Sequence, residues 1–98
     1  MSNIKEVKKH VLQKLKEQKD EIEIKIQRIE KDQEGFDNTI NYYENKEDIT
    51  KENLEDWKNI EWLKQQQQIE YEGLLQEREE CFQKIQSAEW FLKHLYND

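Results

Sequence analysis

The chain has no proline, two glycines (Gly35 and Gly73) and a single cysteine, Cys81. Its longest continuous apolar run is residues 90–92. Each scarcity excludes something. A sheet protein of 98 residues needs many turns, and turns draw on Gly and Pro. Their near absence favours long, uninterrupted helices. One cysteine cannot close an intramolecular disulfide, which points to a reducing compartment. No apolar stretch approaches the roughly 20 residues that a membrane-spanning helix needs. Between Ser2 and Lys9 only Ile4 and Val7 are apolar, so no secretory leader is expected. These absences together predict a cytoplasmic protein that avoids the membrane.

What the chain does have is charge. Charged residues make up 40% of it and apolar ones only 34%, so any core is thin. Ninety-eight residues make one domain at most. There is one Ala and there are two Arg, against abundant Lys, Ile, Asn and Glu, a bias that suits an AT-rich genome such as those of low-GC bacteria and their mobile elements. The net charge is −7. Residues 1–19 hold six Lys against Glu6 and Glu17, a net +4, which leaves −11 on residues 20–98. Affinity for nucleic acid comes from neutralising phosphates with Lys and Arg. An acidic body therefore argues against direct nucleic-acid binding and against an anionic membrane surface, and it permits a basic partner protein.

Two apolar seams organise the sequence. The first runs Leu12, Leu15, Ile22, Ile26, Ile29, Phe36, Ile40, Tyr43. The second runs Trp57, Ile60, Tyr71, Leu74, Cys81, Ile85, Ala88, Leu92, Leu95. Steps of three and four residues keep side chains on one helix face, and a seven-residue repeat favours coiled-coil packing. The expected fold class is all-α: an antiparallel two-helix hairpin with coiled-coil character, pairing into a dimeric four-helix bundle. The single domain, residues 1–98, divides into a first helix over about 3–43, a connection over 44–49 and a second helix over about 50–96.

The ends of the helices have their own signals. Ser2 or Asn3 can cap the first helix, and Thr50 the second. Glu52 sits in the second helix's first turn, where the dipole favours negative charge. Ile49 and Leu54 have the spacing of a hydrophobic staple. Two features strain the first helix. Residues 21–26 alternate with period two and leave Ile24 off the seam, and Gly35 interrupts a helix at a cost of about 1 kcal/mol against Ala. The seam stays in phase past Gly35, so the helix is expected to continue through it. The tract 65–68 of four glutamines reads as a solvated helical face.

Polar residues interrupt both seams: Lys19 and Gln33 in the first, Lys64, Gln67 and Arg78 in the second. They either snorkel to water or fix the register of the pair. With a turn at 44–49, Lys19 is expected near Glu77 and Arg78, and the N-terminal lysines beside Glu77, Glu79, Glu80 and Glu89.

Site chemistry is sparse. His10, His94 and Cys81 are the candidate metal ligands, yet Cys81 and His94 are thirteen residues apart on one helix, about 20 Å. No Gly-rich phosphate loop, zinc-binding helix pattern or nucleophile elbow occurs. No catalytic, cofactor-binding or metal residue is expected, and Cys81 reads as a buried small hydrophobe.

Aromatics are the stronger signal. Trp57 and Tyr71 lie on the seam, whereas Trp62, Trp90 and Phe91 point elsewhere, and Leu63 lies four heptads from Phe91 on the same face. Exposed aromatic patches usually mark interfaces. The expected occupant is a second copy, forming a homodimer, or a different protein. The acidic residues Glu44, Glu47, Asp48, Glu52, Glu55 and Asp56, against Lys46 and Lys51, form the other signal. They are a solvated surface or a mimic of nucleic-acid phosphates that occupies a basic groove. The expected partner-binding residues are therefore Trp57, Trp62, Leu63, Trp90 and Phe91 with Glu47, Asp48, Glu52, Glu55 and Asp56. The expected function is a non-catalytic protein-binding module, in its sharpest form a small acidic inhibitor of a nucleic-acid-handling or defence protein encoded by a phage or mobile element.

The length and hairpin pattern also resemble the small helical proteins of the WXG100 type. That resemblance implies a structural or secretion-associated helical-hairpin partner protein. The family carries Trp-x-Gly at its turn, whereas residues 44–50 contain neither Trp nor Gly, and Trp57 is followed by Lys58.

Overall fold

The computed structural model describes residues 2–95, with side chains described for residues 4–94. It consists of two helices, α1 (Ser2–Glu44) and α2 (Lys51–Leu95), packed against each other as a helical hairpin. The end of α1 and the start of α2 fall at Glu44 and Lys51, on either side of the connection. The expected cap at Ser2 or Asn3, the Leu95 seam side chain and an end at Tyr96 lie outside the described residues.

Local chemistry accounts for the ends. Thr50 caps α2: its Oγ1 accepts from the Asn53 N–H at 3.1 Å, and its carbonyl accepts from the Leu54 N–H at 3.0 Å. Glu52 in the first turn and Lys93 and His94 in the last complement the α2 dipole. Helix α1 has no acid in its first turn and no base in its last, so it takes no such support from its ends. Its stability has to come from packing. Gly35 lies within α1, with a negative φ like every other described residue, so the helix continues through it.

The molecule divides into two compact units, each a pair of antiparallel helical segments. The unit Ile26–Gly73 contains the connection. Its buried apolar residues are Ile26, Ile29 and Ile40, with Ile26 only 1% exposed. Three polar contacts set its register: Lys64 Nζ donates to Asp37 Oδ1, Gln67 Nε2 to Asp32 Oδ2 at 3.3 Å, and Gln33 Nε2 to Gln68 Oε1 at 3.2 Å. Asp37 raises the Lys64 pKa above its ordinary 10.5, mainly through that hydrogen bond, with burial opposing it.

The other unit joins Met1–Lys25 to Leu74–Asp98. Its described core is Ile22, Leu74, Cys81 and Ile85. Arg78 reaches Glu23 through two contacts of 3.4 and 3.5 Å. Lys16 pairs with Glu89 at 3.6 Å. The Cys81 thiol donates to the Leu15 carbonyl at 3.2 Å.

Every described seam residue, polar interruptions included, is buried or half-buried. The register differs from the expected one. Lys19 stands over the Phe82 ring at 5.2 Å, not beside Glu77 and Arg78. Of the four glutamates expected against the N-terminal lysines, Glu89 meets Lys16. Glu79 and Glu80 instead accept within-helix bonds from Gln83 and Gln76. The cause lies in the connection. Its six residues, 45–50, can reach about 20 Å. That slack lets α2 begin beyond the level of Glu44, so the cross-helix contacts choose the alignment.

Candidate partner-binding site

The closed end of the hairpin carries an apolar notch of about 300 Å³. Its lining is Tyr43 and Glu44 from the end of α1, Ile49 from the connection, and Asn53, Leu54 and Trp57 from the start of α2. The staple spacing explains it. Ile49 precedes the Thr50 cap and Leu54 is the fourth residue after it, so both side chains come to the same wall. Because α2 starts beyond the end of α1, its first turns have no α1 residue opposite them, and Ile49 and Leu54 stay exposed. Trp57 closes the inner wall. It is half-buried, and its indole N–H is buried without an acceptor.

Six carboxylates lie on the segments that form the notch, two of which, Glu52 and Glu55, fall on the α2 face away from Asn53, Leu54 and Trp57. Glu44 lines it, Glu47 and Asp48 sit on the connection that carries Ile49, and Glu52, Glu55 and Asp56 sit on the turns that carry Asn53, Leu54 and Trp57. All six are exposed, and none joins an ion pair among the described residues. Two lysines share the segment. Lys46 lies over the Tyr42 ring at 5.8 Å, and Lys51 is exposed.

The remaining sequence-derived positions fall on other surfaces. In the unit Ile26–Gly73, Trp62 is 59% exposed and Leu63 is exposed beside it. Ile69, which the sequence reading left out, is 67% exposed and lies seven residues from Trp62 on the same helix face. Gln66 and Gly73 complete that face, which carries no charge. In the unit of the chain termini, Trp90 is 56% exposed and stacks on His94, with centroids 4.7 Å apart. Phe91 behaves differently from its neighbour: it is half-buried under Lys8, whose Nζ is 4.5 Å from the ring centroid. Phe91 also lines a shallow groove with Lys8, Val11, Leu15, Lys84 and Ala88. Of the expected contacts Trp57 lines the notch, Glu47, Asp48, Glu52, Glu55 and Asp56 share its segment without lining it, and Trp62 with Leu63, and Trp90 with Phe91, lie elsewhere on the chain.

Sequence reasoning did not anticipate the notch. Its signal was present in the Ile49–Leu54 staple, but a staple read only as a capping device gives no hint of a concavity. Among the described residues no group of three or more His, Cys, Asp or Glu is placed to hold a metal ion, and no helix is long and apolar enough to cross a membrane. Comparison with protein-family models, curated proteins and solved structures gave no match.

Proposed function

We propose that this chain is a non-catalytic protein-binding module whose closed end engages a basic surface on another protein. One observation carries the reading: an apolar notch walled by Tyr43, Ile49, Leu54 and Trp57 lies on segments that carry six exposed carboxylates, none of them in an ion pair among the described residues. Protein interfaces combine apolar anchors with a polar rim, and complementary charge speeds encounter and selects partners. In its sharper form the protein is an acidic inhibitor that competes with nucleic acid for a basic groove, of the kind a phage or mobile element encodes. The test is capture from host lysate, identified by mass spectrometry, at low and high salt, with and without competing DNA. The reading expects a nucleic-acid-binding protein that salt or DNA releases. Capture that neither salt nor DNA weakens would sink the inhibitor form.

A second reading, self-association, draws support from the uncharged face of Trp62, Gln66, Ile69 and Gly73 on α2. On this reading two hairpins pair through that face. Sedimentation equilibrium of the wild type against Ile69→Glu tests it, with a dimer that the substitution converts to monomer as the expected result.

A further inference from the structure

We infer that the notch at the closed end seats an arginine side chain of a basic partner protein, its stem against Leu54 and Ile49, its guanidinium on the aromatic walls and within reach of Glu44. This rests on the partner-binding reading above and names the chemistry of the contact.

Size comes first. About 300 Å³ is the lower limit for small-molecule sites. It suits one long side chain better than a cofactor or a helix. The walls come second. Tyr43 and Trp57 supply ring surface, and Ile49 and Leu54 supply aliphatic surface. Such a lining alone would accept any apolar group. The rim narrows the choice. Glu44 belongs to the lining itself, and Glu47 and Asp48 sit on the connection that supplies Ile49. A purely apolar occupant would leave the Glu44 charge partly desolvated without compensation, and an anionic one would be repelled. The occupant therefore carries a cation on an apolar stem.

Arginine fits better than lysine. Its guanidinium is weakly hydrated, stacks on aromatic faces and meets a carboxylate with two parallel N–H bonds, whereas the lysine ammonium is a compact, strongly hydrated charge. No lysine or arginine belongs to the lining, although Lys64 interacts electrostatically with Glu44. Lys46 lies over Tyr42 and Lys51 is exposed, and neither belongs to the lining. The same type of contact recurs within the fold, where Lys8 covers Phe91 and Lys19 covers Phe82.

The test uses the full chain, isotopically labelled, and the indole N–H resonances of Trp57, Trp62 and Trp90. The probes are three acetylated, amidated pentapeptides: Gly-Arg-Leu-Arg-Gly and its lysine and glutamine counterparts. The arginine peptide is expected to shift Trp57 and the backbone amides of Asn53 and Leu54 saturably, while Trp62 and Trp90 stay in place. The lysine peptide should bind more weakly, and the glutamine peptide should give no shift at the same concentration. Leu54→Ala weakens binding about fivefold, as does Glu44→Gln combined with Glu47→Gln and Asp48→Asn. The charge variant alters only exposed side chains, so its helical signal and Tm are retained and its loss of binding cannot come from unfolding.

Equal shifts from the glutamine peptide, or joint movement of all three indoles, would overturn the inference. So would chain self-association that Leu54→Ala abolishes, since the occupant would then be a second copy. A partner captured from lysate equally well by both variants would also overturn the notch assignment, while leaving the partner-binding reading intact. Failure to capture any partner would count against that reading alone, because the peptide titration does not depend on it.

Discussion

Lys64 of α2 donates a hydrogen bond to the carboxylate of Asp37 on α1, and this contact ties a polar seam position to the opposite helix. It raises the Lys64 pKa above 10.5. A cation whose folded pKa exceeds its unfolded one stabilises the fold fully below the unfolded value and loses that contribution as pH rises through the folded value. The wild type is therefore expected to lose stability above pH 10.5 more steeply than Lys64→Met. The pair is partly exposed, so the difference is at most about 1 kcal/mol. Urea unfolding of both proteins across that window measures it, and parallel pH profiles would show that the contact contributes nothing.

Gln67 occupies a seam position, and its side-chain carbonyl is buried without a donor. An unsatisfied buried group costs about 1–3 kcal/mol. Gln67→Leu removes it and completes the apolar repeat, at the loss of one exposed bond to Asp32. Tm is expected to rise by about 4–8 °C for each 1 kcal/mol gained. Differential scanning calorimetry reads this directly, and an unchanged or lower Tm refutes it.

Gly35 and Gly73 are helical, and a Cβ added at either meets nothing within 4 Å. Each substitution by Ala should stabilise the chain by about 1 kcal/mol. The sites share no partner, so the double variant should show the sum. If Gly73→Ala stabilises the chain yet blocks self-association, the uncharged α2 face is where copies meet.

Cys81 is 4% exposed and its thiol bonds to the Leu15 carbonyl. Thiol reactivity needs an exposed thiolate. Labelling by a disulfide reagent should be slow in the native state and fast in denaturant. The native rate then reports how often the terminal unit opens. Rapid native labelling would contradict the packing described.

The two helices, the Thr50 cap and all the described seam positions were legible in the sequence, because heptad spacing and capping are local properties. The fate of Gly35 was legible only through its neighbours, since Phe36, Ile40 and Tyr43 carry the seam across it. Register was not legible. It depends on pairings such as Arg78 with Glu23, and a six-residue connection permits more than one alignment. The notch is a consequence of that register, so it stayed hidden with it. Phe91 shows the same limit: its spacing places it off the seam, but the Lys8 ammonium from α1 lies over its ring. Trp57 was singled out as a contact, yet its unpaired indole N–H emerges only when its surroundings are fixed.

The polar pairs across the hairpin act as the wards of a lock. A slip of one heptad toward a tighter turn would bring Arg78 level with Lys16 instead of Glu23 and move Lys19 from Phe82 to Leu75. Like charges would then face each other where a bonded pair now stands. The apolar seams alone would tolerate that slip, since every seventh position looks much the same to its neighbours. A chain with so thin a core thus uses its few seam charges to make one alignment the address to which refolding returns.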